Sequence, residues 1–184
     1  MAPRVLVPVA DGSEDIETVT IVDVLRRAGA EVTLASVDGA WVTCAHGSRL
    51  AADCLIAACA GQTWDAIALP GGMPGAEHLR DCAALTELLH AQDAAGRTLA
   101  AICASPAVVL QHHGLLGTRR ATCYPGFEHG MAGYVNARVV QDGRCITGSG
   151  PGAALEFALA VAGALFGAAR ANDVARAMLV LQAD

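Results

Sequence analysis

A doubly wound α/β domain is the fold class this sequence predicts, and three observations predict it. Apolar runs of strand length alternate with helical periodicity through the first two thirds of the chain, which requires a parallel sheet with helices on both faces. Strand interiors such as Ala66-Ile67-Ala68-Leu69 are apolar at every position, as a sheet covered on both sides demands. No linker, repeat or low-complexity tract interrupts the pattern, so residues 1–184 are expected to form one domain.

Taken in order, 4–10 is a Val-rich buried strand and Asp11-Gly12-Ser13 turns the chain. Residues 14–28 have helical spacing and Gly29 ends that helix; 31–37 is the second strand. Residues 41–55 read as short strands around the turn Ala45-His46-Gly47-Ser48, a hairpin beside the main sheet. The strand 65–69 is closed by Pro70-Gly71-Gly72-Met73-Pro74-Gly75, and 83–95 is a helix stopped by Gly96. Residues 99–103 form the next strand. The helix 105–113 follows, with Ser105 as N-cap and Pro106 at its first position. A short strand is expected at 121–124 and a hairpin over 138–147 with Asp142-Gly143 at its turn. A long apolar helix then runs over 152–166 and an amphipathic one over 173–181.

Composition excludes several functions. The net charge of −6 argues against specific nucleic-acid binding or an anionic membrane surface. All twelve basic residues are arginine, which removes Schiff-base, pyridoxal-phosphate and phosphate-loop lysines. Seven cysteines without a C-x-x-C pair give neither a disulfide framework nor a zinc ribbon, and a reducing cytoplasm is the expected home. The N-terminus enters a strand at once and does not read as a signal peptide, and the apolar charge-free run 157–169 is too short to span a bilayer.

In a doubly wound sheet, ligands sit outside the carboxyl ends of the strands. Loops 10–17, 70–75 and 103–106 are therefore expected to converge, with the strand ending at Tyr124 adding a fourth edge. Cys103 lies between a strand end and a helix start, where helix N–H groups and the positive dipole end favour thiolate. Most free cysteines are only small buried apolar residues, so the surroundings decide. The first loop carries Asp11, Glu14, Asp15 and Glu17. Complementing the helix dipole accounts for two or three of these acids. Glu14 or Glu17, three apart on one helix face, is expected to point at Cys103. A thiolate and a carboxylate side by side repel, so the stable pair shares one proton, raising the carboxyl and lowering the thiol. Gly71 and Gly72 bring bare backbone N–H groups to a strand end, the makings of an oxyanion hole. No histidine offers itself as an obvious triad base: residue 104 is Ala and His112 and His113 lie a helix length away, which leaves only His46 and His129, both in loops, open. The Gly148-Ser149-Gly150-Pro151-Gly152 run lacks the donors and the acidic residue that a dinucleotide site needs. No cofactor and no metal ion is expected.

Ala101-Ile102-Cys103-Ala104 with Pro106, Leu69-Pro70-Gly71-Gly72, Glu17-Thr18, the run 22–29 and Gly150-Pro151-Gly152 together resemble the ThiJ/PfpI superfamily. The match extends over about residues 4–181. It is closest to the branch of the Parkinson's-disease protein deglycase and its bacterial relatives. The resemblance implies a flavodoxin-like fold, a homodimer, an oxidation-prone Cys103, and Glu17 rather than Glu14 as the partner carboxyl. It also implies Gly71 and Gly72 as donors near the thiolate, and Arg27 and Arg49 near the dimer interface and pocket. Tyr124 stands where the human relative has a histidine, and Ala104 breaks the pattern of the PfpI-type proteases, which carry His after the nucleophile.

Two functions compete on this reading. One is a cofactor-free glyoxalase or deglycase acting on methylglyoxal, glyoxal or their protein and nucleotide adducts. Its machinery is Cys103, Glu17 and the amides of Gly72 and Ala104. The other is a redox sensor or stress chaperone in which peroxide takes Cys103 to sulfinate.

Overall fold

Seven short strands line up in the order β5 (Cys54–Leu55), β2 (Glu31–Ser36), β1 (Arg4–Val9), β6 (Ala66–Leu69), β7 (Thr98–Ile102), β9 (Cys145–Gly148), β8 (Val139–Asp142). The computed structural model describes residues 1–180. All pairings in this sheet are parallel except that of β8 with β9, which close a hairpin. The period of two along each strand sorts the side chains onto the two faces. Val5, Val7 and Val9 of β1, with Ala100 and Ile102 of β7, point to one side. That side is covered by α1 (Asp15–Ala28), α4 (Ala154–Phe166) and α5 (Ala168–Ala177). Leu6, Ile67, Leu99 and Ala101 point to the other, under α2 (Gly75–Asp81), α3 (Ala83–Ala94) and the π-helical turn Pro106–Gln111. This is the flavodoxin-like, doubly wound arrangement.

The first helix shows why the local sequence folds as it does. Glu14 caps it, its Oε2 accepting the Glu17 N–H at 2.7 Å. Asp15 and Glu17 lie in the first turn and Arg26 and Arg27 in the last, complementing the dipole, and Gly29 closes it at φ 104°. β3 (Trp41–Thr43) and β4 (Arg49–Ala51) form the separate antiparallel hairpin expected at the edge. No helix among the described residues is long and apolar enough to cross a membrane.

Several expectations are corrected. Ser105 is no N-cap: it already has helical backbone angles, and its hydroxyl donates to the Pro70 carbonyl at 2.5 Å. Residues 121–124 form no strand, only an isolated bridge between Ala121 and Tyr134. Gly75–Asp81, hidden behind a Pro- and Gly-rich run, is helical. The last helix starts at Ala168 rather than 173 and ends at Ala177; residue 181 lies outside the described residues.

Candidate active site

Strand order reverses between β1 and β6: β1 leads outward to β2, whereas β6 leads the other way to β7 and β9. The loops after β1, β6 and β7 therefore meet at one crevice beyond the carboxyl ends. Glu14 donates its N–H to the Gly71 carbonyl at 2.9 Å, and Gly71 donates its own N–H to Glu17 Oε2 at 2.7 Å. A Cβ on Gly71 would stand 2.6 Å from that of Cys103, and one on Gly72 would stand 2.5 Å from the Glu14 nitrogen. Glycine is thus required at both positions by close approach, and at Gly72 also by φ 87°.

Cys103 follows β7 directly, at φ 64°. A non-glycine residue in this region is strained by about 1–2 kcal/mol, and its backbone is tied on both sides. Its N–H donates to the Gly148 carbonyl at 2.9 Å, and its C=O accepts the Tyr124 N–H at 2.8 Å. The side chain is 7% exposed. The amides of Gly72 and Ala104 face the sulfur and lower its thiol pKa. Burial and then the facing Glu17 carboxylate outweigh them and push the thiol up to about 12.

Glu17 has no exposed surface. Burial above all pushes its carboxyl from the ordinary 4.5 up to about 7; the Gly71 hydrogen bond pulls it down and Glu14 pushes it further up. Its Oε1 is buried with no hydrogen-bond partner among the described residues. The raised carboxyl agrees with the sequence expectation and the raised thiol does not. The lowered thiol assumed a neutral partner, whereas a charged Glu17 opposes ionisation of the sulfur. Taken as a pair, the two groups give up a first proton near 7 and a second near 12.

The remaining predicted residues sort differently. Gly71 is not a donor to sulfur, because its N–H is committed to Glu17. Glu14 is the helix cap rather than a pocket group. Asp11 and Asp15 of the acidic loop anchor the edge hairpin as well. Asp11 Oδ1 accepts the Thr43 N–H, and the two Asp15 oxygens accept those of His46 and Ser48. Tyr124 touches the site through its backbone, while its half-exposed ring packs beside Gly150 and edge-on to Phe127. Beside it opens a cavity of about 380 Å³, lined also by Arg138 and Pro151. Arg27 pairs with Asp23 at 2.9 Å, ten residues or about 15 Å along the helix from Glu17, too far to line the pocket. Arg49 stacks on the exposed Trp41 ring. Two of the histidines have partners of their own: His78 faces the Asp11 carbonyl, and His113 the Arg80 carbonyl. Sequence reasoning missed Ser105, whose hydrogen bond to Pro70 ties the nucleophile turn to the glycine loop; the Ser-Pro pair reads equally well as a cap.

Comparison with known proteins shows the family. The family model described as DJ-1/PfpI family matches residues 3–164. The chain belongs to this family. Protein DJ-1 homolog A of Arabidopsis thaliana is 41% identical over 181 residues, covering 96% of this chain and 46% of its own length. The chain thus spans about half of that relative. A Caenorhabditis elegans protein named glutathione-independent glyoxalase DJR-1.2 is 37% identical over 174 residues, with 92% of this chain and 91% of that one covered. The structure of oxidized Toxoplasma gondii DJ-1 superposes with a TM-score of 0.95 at 48% identity, covering 99% of this chain and all of that one.

Proposed function

We propose that the chain is a cofactor-free glyoxalase that also removes methylglyoxal and glyoxal adducts from proteins or nucleotides. On this reading it works as a single domain, assembled as a homodimer in the cytoplasm. The observation that carries the proposal is the buried Glu17 carboxyl, with a pKa of about 7, facing the Cys103 thiol. One of its oxygens is fixed by Gly71 and the other is unpartnered. A C. elegans relative named as a glutathione-independent glyoxalase supports the choice of substrate class.

Above about pH 7 the pair holds one proton, and with the thiol pushed up to about 12 that proton rests mainly on sulfur. Passing it to Glu17 gives the reactive minor form, a thiolate facing the Gly72 and Ala104 amides. The thiolate adds to the aldehyde carbon of methylglyoxal while Glu17 gives its proton to the carbonyl oxygen, forming a hemithioacetal. Gly72 and Ala104 hold the oxygen as charge develops. Glu17, now a carboxylate, removes the hydrogen of that carbon as a proton and returns it to the neighbouring carbon. The hydroxyl proton shifts to the second oxygen, leaving a thioester. Water cleaves the carbon–sulfur bond, lactate leaves, and the thiol's proton returns to Glu17. Glyoxal gives glycolate by the same steps. Lactate formation is the test: Cys103→Ser and Glu17→Gln are each expected to slow it by about 10²–10⁴-fold. Equal rates in all three proteins would overturn the scheme.

A second reading, a redox sensor or stress chaperone, rests on the same amides. A sulfinate on Cys103 would find N–H donors at Gly72 and Ala104 and a neutral carboxyl at Glu17. Mild peroxide should add two oxygens to the intact protein and none to Cys103→Ser. Oxidation spread over all seven cysteines would refute it.

A further inference from the structure

Two thiols face each other far from the mechanism, at the edge of the sheet. Cys54 opens the two-residue strand β5, paired to β2 through Ala35. Cys59 ends the 3-10 turn Ile56–Cys59 that follows directly. Ile56 is buried under the sheet, so the chain folds back on itself and returns Cys59 to Cys54. The two Sγ atoms lie 3.7 Å apart, the only thiol–thiol contact among the described residues. Both are free thiols, Cys54 half-buried and Cys59 fully buried.

We propose that Cys54 and Cys59 form a second oxidation site, at which a hydroperoxide closes an intrachain disulfide. A disulfide needs its sulfurs at about 2.05 Å, so they must approach by roughly 1.7 Å, within the reach of side-chain rotation. Exposure assigns the roles. Cys54 is the thiol a peroxide reaches, and Cys59 is reached by Cys54. Burial and the neighbouring sulfur push the Cys59 thiol up to about 12, which keeps it protonated and unreactive toward solvent oxidants.

In the first step the Cys54 sulfur attacks one oxygen of the hydroperoxide and the O–O bond breaks. The alcohol, or water for hydrogen peroxide, leaves with the thiol proton, and Cys54 becomes a sulfenic acid. In the second step the Cys59 sulfur attacks the Cys54 sulfur and the S–O bond breaks. Hydroxide leaves as water with the Cys59 proton. Two thiols lose two electrons and the hydroperoxide gains them. Cys103 differs in kind, since the group facing it is a carboxyl. Oxidation there has no neighbouring thiol to intercept it and climbs to sulfinate, whereas Cys59 traps Cys54 at the first rung.

The test uses the full chain, as wild type and as Cys103→Ser, treated with a small molar excess of hydrogen peroxide and then alkylated. Trypsin releases residues 50–80 as one peptide carrying Cys54, Cys59 and no other cysteine. More than half of that peptide should be lighter by two hydrogens and lose both alkylation sites, equally in the two proteins. Cleavage after Leu55 should leave two fragments that part only on reduction, and Cys59→Ser should abolish the link. Both cysteines alkylated at a dose that oxidises Cys103 would overturn the proposal. So would a Cys54 sulfinate beside an alkylated Cys59, or a Cys54 bond to a second chain on a non-reducing gel.

Discussion

Glutamine in place of Glu17 keeps the shape of the side chain and its acceptor for the Gly71 N–H, and removes only the titrating proton. The wild-type carboxyl titrates at about 7 in the folded protein against an ordinary 4.5. That difference of about 2.5 in pKa is worth about 3 kcal/mol at 1.36 kcal/mol per pKa unit. The sign follows from where the proton sits. Below pH 4.5 the group is protonated in both states and contributes nothing. Between 4.5 and 7 the unfolded chain has released the proton while the native state still holds it, so stability falls as pH rises. Above 7 the loss is complete and constant until the thiol begins to titrate. Urea denaturation of wild type and Glu17→Gln between pH 4 and 8 measures it. The difference between the two curves removes the contribution of carboxylates that do not interact with Glu17. Relative to wild type, the variant should gain about 3 kcal/mol on going from pH 4 to pH 8, or roughly 10 °C in Tm for a chain of this size. Parallel curves from pH 4.5 to 7.5 would refute the placement of this proton.

Three further outcomes are expected. Gly71→Ala drives a methyl group into the Cys103 Cβ at 2.6 Å; it should abolish lactate formation while far-ultraviolet circular dichroism stays native. Phe157→Ala empties a fully buried site beside Gly148 and should cost about 3–5 kcal/mol in urea denaturation. Asp15→Ala removes the acceptor of the His46 and Ser48 amides, and hydrogen exchange at both should accelerate by at least about tenfold, the ratio for 1.4 kcal/mol and within the range of a charged hydrogen bond.

The sheet and its crevice were legible because their signals are local and redundant. Val5, Val7 and Val9 alternate with Leu6 and Ala10, and both sets are apolar, which only a sheet buried on two faces requires. The loops that carry Glu17, Gly71 and Cys103 then meet by topology alone. What was not legible depends on partners distant in the chain. Asp15 has the composition of a helix-dipole acid, yet its oxygens serve a hairpin more than 30 residues on. Ser105 has the pattern of a cap, yet its hydroxyl goes to Pro70, 35 residues back. The first turn of α2 is hidden because Gly75 packs against the backbone of Gly12 and Ser13, a close approach that local propensity counts as helix-breaking. The thiol differs for a related reason: the identity of its neighbour is legible in the sequence, but neither the degree of burial, which raises the thiol most, nor the charge that Glu17 carries beside it is.

The edge hairpin has a consequence for how the protein opens on warming. Gly12 donates to the Thr43 carbonyl, Ala45 to that of Ser13, and Asp11 and Asp15 hold the rest of the turn. The same four residues lead into the helix that carries Glu17, so hairpin and carboxyl are fastened in one unit. Strands of three residues on a sheet of two are the sort of structure that opens well below the global unfolding free energy. Each such opening frees Asp11, Gly12 and Asp15 of their hairpin partners, while the bonds of Gly71 to Glu14 and Glu17 and the seven-stranded sheet remain intact. Hydrogen exchange at Thr43, His46 and Ser48 should therefore quicken on warming while the core still gives a native spectrum.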